Sequence, residues 1–535
     1  MGPDGVNLSV CDVFDPVTPK PARENTISRS ENTSTTGLPA DAPDATAAAA
    51  DAAPDTRTGL RARVDRYFEI TRRGSTWARE TRGGVVTFVT MAYIVILNPL
   101  ILGGFSADQA ALDVNGNWLP NAQVAAVTAL TAGVMTILFG VIARLPFGFA
   151  AGLGINSFLA VSVVGQVTWS EAMGLVVING LIIVLLASTG MRELIFNAIP
   201  HQLKIAITVG IGLFIAFIGL VDSGFVRASG AASPPVQLGD AGSVATLPTA
   251  VFVLGLIITG VLLARKVKAA LLIGIVTTTV IAVILEAIFK VGPSLGTNPA
   301  GWNLNAPVLP SSIVAVPDLS LLGQVSFGAF DRIGLLAGVM LVFTLVFTNF
   351  FDAMGTMTGL ATEAGLANKN GHFPRLKSAL IVEGIGAVAG GAASASSNTV
   401  FIESGAGIGE GARTGFANVV TGLLFIAAMF FTPLTMIVPL EVAAAALVIV
   451  GALMVSQIRH IDFSEFSIVL PVFLTIIVMP LTYSIANGIG AGFIAWVLVR
   501  SFSGKAREVS PLLWVVALGF VFFFVRGPIE LLLAG

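Results

Sequence analysis

The chain has 535 residues, of which 55% are hydrophobic and only 11% charged, with a formal net charge of −2. Soluble domains carry about 25% charged residues and need that polar surface to cover their cores, so a mean hydropathy of +0.88 places this chain in lipid rather than in water. That net charge says nothing about partners, and no basic stripe suggests nucleic acid; a single cysteine, Cys11, excludes an internal disulfide framework and a cysteine-held metal site.

Residues 1–60 are rich in Ala, Asp, Pro, Thr and Ser, as in the run from Ala40 to Thr46. So few large apolar residues cannot form a core, and a disordered cytoplasmic tail is predicted. No basic stretch leads into an apolar run at the start, so the first membrane segment is expected to act as an uncleaved anchor.

From Gly83 onward apolar runs alternate with short breaks. The predicted segments are 83–103, 123–143, 149–164, 171–190, 203–222, 250–264, 269–289, 334–360, 379–393, 398–412, 416–433, 440–456, 466–482 and 485–501. The fold class is therefore an all-α polytopic membrane protein with about 14 transmembrane segments, most of which reach the roughly 17–25 residues that span a bilayer, while the third, ninth and tenth are too short. A further apolar stretch, 511–534, is interrupted by Arg526, Gly527 and Pro528, and is expected to lie on or re-enter the membrane. With the N-terminus cytoplasmic, alternate counting puts most basic residues inside, among them Arg72, Arg73, Arg144, Lys266, Lys268, Arg375, Arg413, Arg459 and Arg500, and leaves Arg227, Lys290 and Arg332 outside.

The segments divide into two sevens, 83–290 and 334–503. Seven is odd, so the second set enters from the opposite side, which is the arithmetic of an inverted repeat of the kind common in secondary transporters. The third segment of each set, Pro146 to Phe158 and Ser394 to Glu410, is short, polar and rich in small residues. Small residues alone serve close helix packing. Asn156 and Glu403 within these two segments point instead to unwound backbone lining a solute site, where freed N–H and C=O groups find polar partners. The spacings Gly152-x-Gly154 and Gly405-x-Gly407-x-Gly409 lack the βαβ context of a dinucleotide loop.

Carboxylates inside apolar runs are costly and usually functional. Asp352 lies well inside the eighth segment, and Asn349, Asp352 and Thr356 share one helical face at spacings i, i+3 and i+7. Phe401 stands two residues before Glu403, on the same side of an extended stretch. An aromatic face beside a carboxylate suits a flat heteroaromatic with N–H donors. A carboxyl group enclosed in lipid can also take up and release a proton, so binding and proton coupling can share Asp352 and Glu403. Glu286, Glu363, Glu383, Glu410 and Glu441 lie nearer segment ends and read as interfacial. The three histidines, His201, His372 and His460, read as loop residues, and no metal or cofactor site is expected.

From about Arg82 to Glu508 the sequence resembles the adenine/guanine/hypoxanthine permeases, the AzgA-like branch of the nucleobase–cation symporter (nucleobase–ascorbate transporter) superfamily. The resemblance rests on the run from Thr87 to Pro99, on Gly152-Leu153-Gly154-Ile155-Asn156, on Phe351-Asp352-Ala353-Met354-Gly355-Thr356, and on Ile402 to Gly407 followed by Glu410 to Gly415. It implies a seven-plus-seven fold with core and gate domains, in which segments three and ten carry short extended strands meeting at the substrate. It implies that Asp352 and Glu403 hold a purine base together with Asn156, that a proton is co-transported, and that the protein is a homodimer in a bacterial plasma membrane. Many members carry an aspartate three residues before the first; Asn349 stands there instead.

The competing readings are an anion exchanger on the same fold, a xanthine or uracil transporter, and a channel or membrane enzyme. Intramembrane carboxylates disfavour an anion, which wants helix N-termini and cations. No nucleophile–base pair, metal cluster or phosphate loop supports an enzyme.

Overall fold

The computed structural model describes residues 59–105, 110–189, 199–230, 233–239, 242–244, 246–294, 298–303, 305–367 and 373–525. Residues 1–58 of the expected tail, His372, and residues 526–535 lie outside them.

The described chain is mostly helical. A short helix, α1 (Leu60–Phe68), precedes α2 (Trp77–Met91), which starts where the Thr76 side chain accepts from Arg79 N–H. The chain then runs through α3 (Ile94–Leu102), α4 (Asn121–Ile142), a strand β1 (Phe149–Ala151), α5 (Leu153–Phe158), α6 (Trp169–Thr189), α7 (His201–Asp222), α8 (Leu247–Ala264) and α9 (Ala270–Phe289). It continues through α10 (Leu335–Glu363), α11 (Leu376–Ala392), β2 (Asn398–Val400), α12 (Ser404–Gly409), α13 (Gly415–Ala428), α14 (Leu440–Val455), α15 (Phe466–Leu481), α16 (Ile485–Arg500) and α17 (Pro511–Phe524). Ten helical stretches among the described residues are long and apolar enough to cross a membrane, so the protein is a multi-pass membrane protein. At 14 residues, α17 reaches about 21 Å, short of the roughly 30 Å hydrocarbon core.

The spans differ in how they are used. The apolar windows of α8 and α9 are 33% buried, that of α10 71%. Ile257, Val261, Val276, Val280 and Ile284 on α8 and α9 are exposed, as suits a face turned to lipid, while α10 runs through the interior.

Elements distant in sequence pack in pairs: α6 with α11, α4 with α13, α7 with α14, and α15 with α7; α15 also packs on its neighbour α16. Lipid gives apolar helices no hydrophobic reason to associate, so close approach through small residues has to supply contact. A Cβ at Gly180 would lie 2.7 Å from the Gly384 carbonyl oxygen, and one at Gly384 3.0 Å from that of Gly180, so α6 and α11 touch backbone to backbone. The crossing of α7 and α14 at Gly212 is equally tight, with a Cβ there 2.8 Å from the Gly451 oxygen.

Two residues read as interfacial are instead fully buried. Glu383 sits inside α11, and Glu441 opens α14 with its Oε1 accepting the Asn303 N–H at 2.8 Å. The segment carrying Asn303 lies over the end of α14, and this tertiary cover takes Glu441 out of the interface.

Candidate functional site

Two three-residue strands meet inside the helical bundle. β1 pairs antiparallel with β2, placing Phe149 opposite Val400, Ala150 opposite Thr399 and Ala151 opposite Asn398. The ladder continues at both ends, with Phe401 N–H donating to the Gly148 oxygen at 3.0 Å and Gly152 N–H to the Ser397 oxygen at 2.9 Å. Unwound backbone inside a membrane persists only where its polar groups are satisfied, and here side chains complete the set. Thr136 Oγ1 accepts from Phe149 N–H at 2.9 Å and donates to its oxygen at 3.0 Å, while Asn418 Nδ2 donates to the Phe147 oxygen at 2.5 Å. The Ser404 hydroxyl accepts from Gly148 N–H at 2.9 Å and donates to the Phe401 oxygen at 2.7 Å.

A short helix follows each strand, and each carries one of the anticipated residues. Asn156, on α5, is fully buried; its Nδ2 donates to Asn98 Oδ1 at 2.5 Å. Asn98, in turn, donates through Nδ2 to Thr128 Oγ1 at 2.7 Å and to the Ala395 oxygen at 3.2 Å. Glu403 caps α12, with Oε1 accepting from the Tyr93 hydroxyl at 2.5 Å and its backbone oxygen accepting from Thr90 Oγ1 at 3.3 Å.

Glu403 is not in extended backbone as the sequence suggested. Its φ and ψ are −59° and −18°, because the strand ends at Val400 and the Gly405 N–H turns back to the Ile402 oxygen at 2.9 Å. Phe401 is therefore related to Glu403 through a turn rather than by strand alternation. Its ring is buried and lies 6.5 Å from that of Tyr93 at an interplanar angle of 51°.

The interior helix α10 supplies the opposite wall. Asn349 is fully buried and donates through Nδ2 to Ser397 Oγ at 3.0 Å. One turn on stands Asp352, on the helix that packs against β2 and α12. Thr356 is half-buried on the same face a further turn along.

Several polar groups here have no hydrogen-bond partner among the described residues. They are Asn156 Oδ1, Asn349 Oδ1, Ser396 Oγ, Thr399 Oγ1 and both side-chain polar atoms of Asn398. Each buried group left unpaired costs about 1–3 kcal/mol. Concentrated on and beside one strand pair, these groups are free to hydrogen-bond a polar solute.

Tyr93, Asn98, Thr128, Ser397 and Asn398 were missed by sequence reasoning. Tyr93 and Asn98 carried a readable signal, being polar groups inside the first apolar run.

A family model described as a permease family matches residues 79–491. The chain belongs to this permease family. A guanine/hypoxanthine permease of Bacillus subtilis is 37% identical over 463 residues, covering 86% of this permease and 99% of the relative. An adenine permease of Escherichia coli is 35% identical over 468 residues, covering 87% and 97%. The family expected from the motifs around Asn156, Asp352 and Glu403 is thus the one found. The transmembrane domain of a cyanobacterial bicarbonate transporter superposes with a TM-score of 0.53 at 15% identity, covering 77% of the permease and 96% of that chain, a likeness of fold alone. A permease moves its solute across the membrane without transforming it, so the protein is not an enzyme.

Proposed function

We propose that the permease imports purine nucleobases, adenine, guanine or hypoxanthine, across the plasma membrane by proton symport with alternating access. The observation that carries this reading is the set of unpaired amide and hydroxyl groups on and beside the β1–β2 pair, with Glu403 at the start of α12 and the Asp352 helix packed against β2 and α12. A purine presents N–H donors and ring-nitrogen acceptors on one planar edge. Glu403 accepts from the donors, Asn156 and Asn349 serve both kinds of group, and Phe401, Tyr93 and Thr356 complete the walls. The names of the relatives support the choice of substrate.

Asp352 and Glu403 also carry the coupling proton in this reading, so that binding and coupling share the same two carboxyls. The architecture is two inverted seven-segment repeats, 83–290 and 334–503, with the N-terminal tail cytoplasmic and two copies forming a homodimer. The pairing of first-half with second-half elements, β1 with β2, α6 with α11 and α7 with α14, supports the repeat. The core domain is built on α2–α6 and α10–α13, the gate on α7–α9 and α14–α16. Proteoliposomes under an imposed pH gradient test the reading. Labelled adenine should accumulate, unlabelled guanine and hypoxanthine should compete, and a protonophore should collapse the gradient of base. Uptake of bicarbonate without uptake of any purine would overturn it.

A further inference from the structure

A cavity of about 300 Å³ lies against the end of α5, at the lower end of the roughly 300–1,000 Å³ typical of small-molecule sites. Its walls are apolar, supplied by Leu100 and Ile101 of α3, Ala160 and Val161 after α5, Ile218 of α7 and Leu440 of α14, so it sits between the two groups of helices. Two polar residues break this lining. Ser157 is fully buried, and its Oγ has no hydrogen-bond partner among the described residues. Asp222, the last residue of α7, brings a carboxylate to the same cavity.

The position is informative. Ser157 follows Asn156 on α5, about 100° further around the helix, so consecutive side chains serve the strand-pair site and the cavity. A mostly apolar chamber with one carboxylate and one unsatisfied hydroxyl suits a flat, weakly polar ring bearing N–H groups. Among the described residues, no basic side chain lines the cavity to neutralise Asp222.

We propose that this cavity is a second station for the same planar base, held by Asp222 through its N–H groups and by Ser157, on the path to Asn156 and Glu403. The proposal rests on the purine reading above.

The test uses the near-absence of cysteine. In a C11S background, A160C places one thiol on the cavity wall of the full-length, detergent-purified protein. A fluorescent maleimide should label it, and adenine at ten times its half-saturating concentration should slow labelling about tenfold by mass action. E403Q should leave this protection intact, because the cavity does not use that carboxylate. D222N should require about 10- to 150-fold more adenine for the same protection. S157A, which removes a single atom, should require about 2- to 10-fold more, and it keeps the test decisive if D222N does not fold.

Failure of the thiol to label, protection abolished by E403Q, or protection indifferent to both D222N and S157A would each overturn the proposal. Protection by sodium instead of adenine would overturn it in favour of a cation site. Purine uptake by the unsubstituted protein, measured alongside, separates the two readings: uptake without protection sinks only the second station, whereas absence of both sinks the purine assignment as well.

Discussion

The Tyr93 hydroxyl donates to Glu403 Oε1 across 310 residues of sequence, tying the break between α2 and α3 to the start of α12. One lone-pair direction of the carboxylate is thereby occupied and the other oxygen is oriented. Y93F keeps the ring beside Phe401 and removes only this bond. The carboxylate is then free to turn away from the base, so base affinity should fall, by less than the roughly 10- to 150-fold that loss of the carboxylate's own charged hydrogen bond would cost. Equilibrium binding of labelled base measures it, and an unchanged affinity would remove Tyr93 from the site.

Asn98 and Asn156 act as one unit, since each supplies the other's buried partner at 2.5 Å. N156A should weaken binding or shift base preference, and N98A should produce the same shift by releasing Asn156. Residues in one hydrogen-bond network are not additive, so the double variant should lose little more than either single one. Competition by a panel of bases against all three proteins decides the matter; additive losses would mean that the two amides act separately.

Asp352 and Glu403 are expected to be required for partly different reasons. E403Q removes the charge that holds the base, at a loss of about 10- to 150-fold in affinity. D352N should spare equilibrium binding more than accumulation, because an amide cannot carry a proton. Binding at several pH values beside uptake driven by a pH gradient separates the two effects. Normal binding by E403Q together with continued accumulation by D352N would show this division of labour to be wrong.

Glu410, at the end of α12, pairs with Arg82 of α2 at 2.8 Å and with Lys268 of the loop between α8 and α9. If the helices around α8 and α9 part from those around α2 and α12 during transport, this contact has to open in each cycle. Joining K268C to E410C through two disulfides with a short bifunctional methanethiosulfonate in a C11S background should stop uptake, and reduction of those disulfides should restore it. Full uptake in the cross-linked protein would place the moving boundary elsewhere.

Glu465, just before α15, is half-exposed and accepts from Lys505 at 2.6 Å and Arg500 at 2.7 Å. Together with Ser467 these bonds hold its carboxyl down to about 2, led by Lys505. A carboxyl held below its ordinary value of about 4.3 stabilises the fold above that value and loses the contribution as pH falls toward the lower one. E465Q should therefore lower the melting temperature equally from pH 5 to pH 8, by little because the site is exposed, and the gap should close between about pH 4 and pH 2. Thermal unfolding in detergent across that range checks it.

Much of the protein's character was legible without coordinates because the relevant quantities are local. Hydropathy is a property of each run of residues, so a membrane chain declares itself in composition. A polar side chain inside such a run is expensive wherever the run packs, and Asn156, Asn349, Asp352 and Glu403 could be named on that ground alone. What they touch could not. Tyr93 with Glu403, Asn98 with Asn156, Asn349 with Ser397 and Ala151 with Asn398 are contacts between distant segments, and no periodicity carries them. Local pattern also misled at Glu403, where a turn replaces extended backbone, and at Glu441, where nearness to a helix end implied exposure that another segment removes. Sequence fixes which groups need a partner, through the cost of burying them; only the packing of the whole chain decides which partner each one meets, because that choice is made by elements hundreds of residues apart.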